Sequence, residues 1–360
     1  MSRTWKNWTP ALVAAAAIGA ATLIGPLTAN AAVDLPDKTP TEVLELAGNS
    51  TATAFSGTVE QTSDLGLPDL SAVSGMTGPS TGTAEPESTG SPETAALELL
   101  TGSHTARVFV DGPDQARVQV LDQLDERNIV RNGSEVWFYN SEDNSAIHAT
   151  LEEHQKHEGM PKELSTPDQV ADMFLEKADE STEVSVGSDQ MVAGRAAYEL
   201  TLTPRSGETL VGAVTISVDG ETGLPLAVSV TASGDGATAF STSFTDITFE
   251  APSAETFDFT PPAGATVTEL DDKTDRHGDK PETAKDPESK PAVTGSGWDT
   301  VVIVPDGAQD LPEMLTQLST PVEGGQLLET TLVNVLLTDD GRMLAGSVTP
   351  ERLLEVAAGQ

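Results

Sequence analysis

Val192-Ala-Gly194-Arg-Ala-Ala-Tyr198-Glu-Leu200-Thr-Leu202-Thr-Pro204 is the stretch on which the fold class turns. Residues two apart in an extended chain share a face. Tyr198, Leu200 and Leu202 therefore make one apolar row, and Glu199 and Thr201 fall on the opposite side. The same alternation returns at Val214, Ile216 and Val218, then at Leu226, Val228 and Val230, with a further strand expected over residues 239–249. Asp219-Gly220 and Thr222-Gly223 supply the turns. Strands arriving in series with short turns argue for an antiparallel sheet, curved or closed.

Upstream the pattern continues. Phe55, Gly57 and Val59 form a row in Phe55-Ser-Gly-Thr-Val-Glu-Gln61. Val108 and Val110 lead through the turn Asp111-Gly112-Pro113-Asp114 to Val118 and Val120. Residues 127–131 reach Asn132-Gly133, a strong hairpin signal, and Val136 and Phe138 follow. A strand near residues 146–150 completes this meander. Two helices interrupt the strands. Residues 40–54 carry an apolar face of Val43, Leu44, Leu46 and Ala47 after the cap Thr39. Thr166-Pro167 starts a second helix, with Val170, Met173 and Phe174 at helical spacing.

Composition divides the chain. Residues 1–31 read as an export signal: Arg3 and Lys6, an apolar run over 11–24, and the cleavage pattern Ala29-Asn30-Ala31. The main β domain is expected over 32–270, with an insertion rich in Gly, Ser, Thr and Pro at 66–92. Residues 271–296 read as a charged linker. A small α/β unit is expected over 297–360: a strand from Trp298, a helix near 311–318, a hairpin of 327–337 with 342–348, and a terminal helix from Pro350.

Charge and residue usage exclude several functions. The formal net charge is −38, which repels nucleic acid and anionic headgroups. The chain has no cysteine, so disulfides, thiol nucleophiles and cysteine-ligated metals are excluded. Glycine-rich phosphate loops and the hydrolase nucleophile elbow are missing from the sequence. His154 and His157, among Glu152, Glu153 and Glu158, fit no zinc spacing rule and read as a solvated surface. The expectation is a protein without catalytic residues, metal or cofactor.

What remains is the apolar face itself: Phe55, Val59, Val108, Val110, Val118, Val120, Val136, Phe138, Tyr198, Leu200, Leu202, Ile216 and Val228, with Met173 and Phe174 as a helical lid. A packed core and an open site for an acyl chain or hydrophobic peptide are both consistent with this face.

The phrases quoted, from Phe55–Gln61 through Val136-Trp-Phe-Tyr139 and Gly194-Arg-Ala-Ala-Tyr198-Glu-Leu200 to Thr222-Gly-Leu-Pro-Leu226 and Phe257-Asp-Phe259-Thr-Pro-Pro262, resemble the LolA-like lipoprotein carriers and the related RseB/MucB sensors. Residues 346–357 more weakly resemble the C-terminal domain of RseB-type proteins. Composition suggests a high-GC Gram-positive, actinobacterial-type member. The resemblance implies an incomplete antiparallel β-barrel with helices over its concave face, located in the cell envelope. It also implies an apolar ligand, either lipid or lipoprotein acyl chains held by a carrier, or a sensor's role on a membrane-anchored regulatory protein such as an anti-sigma factor.

Overall fold

The computed structural model describes residues 35–66, 102–121, 126–151, 166–175, 181–234, 236–270, 291–305 and 318–359. The export signal, nearly all of the insertion, His154 and His157, residues 271–290 of the linker and nearly all of the helix expected at 311–318 lie outside them.

The first helix, α1 (Pro40–Gly48), opens with a reciprocal cap. Thr39 Oγ1 accepts from the Glu42 amide, and the Thr39 amide donates to Glu42 Oε2 at 2.8 Å. It stops short of the expected residue 54. Asn49 Nδ2 donates to the Glu45 carbonyl, and the Thr51 amide is already committed to the Thr222 carbonyl. The chain then enters β1 (Ala54–Ser63).

Next come β2 (Gly102–Asp111), β3 (Gln115–Leu121), β4 (Glu126–Asn132), β5 (Glu135–Asn140), β6 (Ser145–Thr150), α2 (Pro167–Leu175), β7 (Thr182–Val186) and β8 (Gln190–Val192). Then follow β9 (Arg195–Pro204), β10 (Val211–Asp219), β11 (Pro225–Ala232), β12 (Thr238–Thr248), a short 3-10 turn (Ala254–Phe257) and β13 (Thr266–Leu270). These thirteen strands form one sheet in the order β13-β6-β5-β4-β3-β2-β1-β12-β11-β10-β9-β7, with β8 paired on β9. The sheet is mixed rather than purely antiparallel, because β13 runs parallel to β6. Among the described residues β7 and β13 do not pair, so no closed barrel forms.

Register carries the apolar rows across the sheet. Leu200 lies opposite Ile216 and Ile216 opposite Val228. In the other half, Gly57, Val108, Val118, Ile129, Phe138 and Ile147 are successive cross-strand partners. A one-residue slip anywhere would turn a row to solvent. The face built this way is the one on which α1 and α2 pack, through Val43, Ala47, Val170 and Ala171. Gly57 is required in its row: a Cβ there would stand 2.3 Å from the Asp246 carbonyl and 2.9 Å from the Phe244 ring. Phe244 itself meets Phe55 edge-on at 6.0 Å.

The turn after β10 is fixed by charge. Asp219, fully buried, accepts from Arg195 Nε at 2.7 Å and Nη2 at 3.0 Å, and from the Thr222 amide and hydroxyl. Burial would raise the pKa of this carboxyl. The Arg195 and Thr222 hydrogen bonds and the Arg195 charge outweigh that and hold it below its ordinary value.

A second, antiparallel sheet follows, ordered β14 (Ala292–Thr294), β15 (Val301–Val304), β19 (Met343–Gly346), β18 (Asn334–Thr338), β17 (Gly325–Glu329) and β16 (Thr320–Val322), with α3 (Pro350–Ala358) on one face. Three sequence expectations change here. Residues 292–294 pair as β14 although they sit in the acid- and proline-rich stretch, and 327–337 is two strands. Thr330 breaks it, its hydroxyl capping the turn to Val333. Trp298 lies in a 3-10 turn (Gly297–Asp299) rather than a strand.

This second sheet is docked on the first. Trp298 enters the helix-side core, 4% exposed, and stacks on Phe174 at 6.0 Å. Its indole N–H donates to Thr182 Oγ1 at 2.8 Å. Thr209 bridges to Val348, and the Leu210 amide donates to the Ser347 carbonyl.

Leu200 is fully buried at the centre of this core. Leu200→Ala is expected to lower unfolding free energy by about 2–5 kcal/mol in urea titration. Val293→Ala, at a residue 67% exposed, should change it by less than about 0.5 kcal/mol. As pH falls through the depressed pKa of Asp219, the stability from its ion pair should be lost, and Asp219→Asn should flatten that acid limb.

Candidate functional site

The fifteen apolar positions singled out from sequence fall into distinct surroundings. Tyr198, Leu200, Leu202, Ile216 and Val228 are buried together with the two helices and Trp298. Phe55, Val59, Val108, Val118 and Val120 form a second cluster around Phe244 and Leu226, with Val110 packed against it. Val136 and Phe138 are half-buried. Met173 departs from its expected place as a lid over the face: it is 58% exposed, and its neighbour Phe174 turns inward onto Trp298.

Among the described residues, the face is filled over β9 to β11 and a cleft opens toward β1 to β4. This cleft of about 530 Å³ lies between the end of α1, the first turns of α2 and the strands. Its floor is a single cross-strand row, Phe55, Val110, Ala116 and Arg131. Leu224, Pro225 and Ala52 form an apolar rim, while Asp168, Gln169 and Asp172 come from α2.

Three charged residues line this cleft, Arg131, Asp168 and Asp172, and sequence reading singled out none of them. Arg131 is 5% exposed and its Nη2 donates to Asp114 Oδ1 at 3.2 Å. Its signal was available: in Arg127-Asn-Ile129-Val-Arg131 the arginines share the inward parity of Ile129. Asp168 lies in the first helical turn, where the helix dipole favours a carboxylate. Burial outweighs the dipole and pushes its pKa up, against hydrogen bonds from Thr166 and from the Asp168 and Gln169 amides. Among the described residues its Oδ1 is shut off from solvent and has no hydrogen-bond partner. Among the described residues no group of three His, Asp or Glu is placed to hold a metal. An apolar floor with an arginine on it and carboxyls at the rim suits binding of an amphipathic segment.

The described residues thus define a mainly β protein, with a large mixed sheet, a small antiparallel sheet and an accessible cleft on the helix side. Residues 97–263 match the family profile described as the MucB/RseB N-terminal domain, a family of generally non-enzymatic binding proteins. No curated protein matches the chain. Among solved structures it is similar to the Pseudomonas aeruginosa MucA/MucB complex, at 16% identity over 88% of this chain and 96% of that one, with a TM-score of 0.42. A LolA-superfamily protein from Nitrosomonas europaea is similar at 10% identity over 62% and 99%, with a TM-score of 0.25. LprF from Mycobacterium bovis is similar at 9% identity over 64% and 100%, with a TM-score of 0.30.

Because the raised pKa marks a carboxyl held more tightly protonated in the folded chain, folding is favoured below the ordinary Asp value and penalised as pH rises through the folded one. Asp168→Asn should therefore stabilise the protein at neutral pH by removing the buried negative charge, by about 1.4 kcal/mol for each pH unit by which the folded pKa is raised. The gain should shrink toward zero in acid, as read by thermal melts across pH.

Proposed function

We propose that this chain is an exported, non-enzymatic regulatory protein of the cell envelope, which binds the extracytoplasmic segment of a membrane-anchored anti-sigma factor or sensor. The observation that carries the reading is the filled helix-side face. Leu200, Leu202, Val214, Ile216 and Val218 are fully buried against the helices, and Trp298 of the second sheet closes the same core. A carrier would need that volume for acyl chains. The cleft over Phe55, Val110, Ala116 and Arg131 remains accessible, and it has the size of a site for a few side chains. The match of residues 97–263 to the MucB/RseB N-terminal domain supports the same reading. In this reading the large sheet is an incomplete barrel and residues 1–31 direct export.

A second reading keeps the ligand as a lipid or lipoprotein acyl chain, favoured by the apolar floor of the cleft and by the half-buried Val136 and Phe138 beyond it. Calorimetry of the mature chain against purified extracytoplasmic domains of anti-sigma factors from the same organism separates the two. The regulatory reading expects a one-to-one complex weakened about tenfold or more by Val110→Asp, with circular dichroism unchanged. Failure to bind any such domain, with a stoichiometric acyl lipid found by native mass spectrometry, would replace it by the carrier reading.

A further inference from the structure

The face opposite the helices carries a strap. After β12 the chain crosses β3 and β4 through its 3-10 turn, with Phe257 buried and Arg117 Nη1 donating to the Thr256 carbonyl. Phe259 then lies against Trp137 and Tyr139, with ring centroids 5.7 and 5.8 Å apart. The strap ends as β13, the parallel edge strand on β6, before the chain leads to the second sheet.

β13 has little apolar burial to hold it. All five of its residues are exposed, Val267 by 44% and Leu270 by 54%. Besides backbone pairing, among the described residues the side chain that ties it to the sheet is Glu269, through His148. On β6, His148 places Nδ1 2.6 Å from Glu269 Oε2 of β13 and Nε2 2.6 Å from Glu135 Oε2 of β5. Its ring stacks on Trp137 at 4.1 Å, nearly parallel. A neutral imidazole carries one N–H and can donate to one carboxylate; only the imidazolium donates to both. Without the second proton, a carboxylate oxygen faces a lone pair at contact distance. Of the two acids, Glu269 sits on the exposed strand at the end of the sheet, and Glu135 on β5 inside it.

We propose that His148 is a proton-operated latch, fastening β13 and the end of the strap to the edge of the large sheet when charged and loosening them when neutral. The groups that face it are Glu135 from β5 and Glu269 from β13. β6 carries no other charged residue, and Asp258 of the strap is engaged instead by Asn132. Burial of the ring opposes its charge, but the hydrogen bonds and charges of Glu269 and Glu135 prevail, and the pKa is raised. Docking of β13 is therefore supported fully below the ordinary histidine pKa and is lost as pH rises through the raised one. The latch does not depend on which partner the cleft takes.

Hydrogen exchange of the mature chain, read by mass spectrometry at about pH 5.5 and about pH 8.5 and corrected for intrinsic rates, tests it on either side of the histidine range. Protection of residues 266–270 is expected to fall several-fold at the higher pH, while residues 198–202 stay protected. His148→Gln, which cannot titrate, should remove the pH dependence, and Glu269→Gln should do the same and lower the histidine midpoint seen by NMR. Glu269 is 61% exposed, so that variant remains informative if His148→Gln folds poorly. Equal strap protection at both pH values in the wild type, or the same fall in Glu269→Gln, would overturn the latch.

Discussion

The architecture depends on cross-strand register. Every strand from β9 around to β6 presents alternate residues to one face, and pairing aligns those residues into rows that run the width of the sheet. Burying each large aliphatic side chain contributes about 1.5–3 kcal/mol. Register errors forfeit a whole strand's share at once, so the rows specify the pairing as much as they stabilise it. Gly57 shows how tight the constraint is: β12 bulges at Thr245 opposite Thr58 and Val59 of β1, and the Asp246 carbonyl and Phe244 ring leave no space for a methyl group at Gly57.

Alternation is also why the large sheet could be read directly from sequence. Tyr198-Glu-Leu200-Thr-Leu202 and Val214-Thr-Ile216-Ser-Val218 show the period with almost no ambiguity, and their turns carry glycine where φ is positive, as at Gly223. The parallel strand β13 was not legible, because Thr266-Val-Thr-Glu-Leu270 buries neither face and so has no period to detect. β14 was hidden for a related reason: it is three residues long and flanked by Pro291 and Gly295. The end of α1 was overestimated although Gly48 and Asn49 are stop signals: Asn49 caps the helix there, and a tertiary bond from Thr51 to Thr222 draws the chain away.

The candidate site was legible in part. Its floor residues Phe55 and Val110 were named from alternation, but Arg131 and Asp168 were not, although they give the cleft its polarity. Charged residues in a strand are ordinarily assigned to solvent, and in a first helical turn they pass for dipole partners. Here burial contradicts both assumptions. The clasp on His148 is further from sequence still. Its three members come from three strands, and β6 and β13 are separated by more than a hundred residues.

The position of β1 has a bearing on how the chain reaches this state. β1 lies in the middle of the large sheet, between β2 and β12, and Ser56 pairs with Thr248. A central strand made early must wait for a partner made almost two hundred residues later, a contact order that slows folding. For a chain exported as proposed here, that delay is useful. Until the segment around Thr248 has been made, β1 has a partner on one side alone, and an export step that needs an incompletely folded chain would fall in that interval.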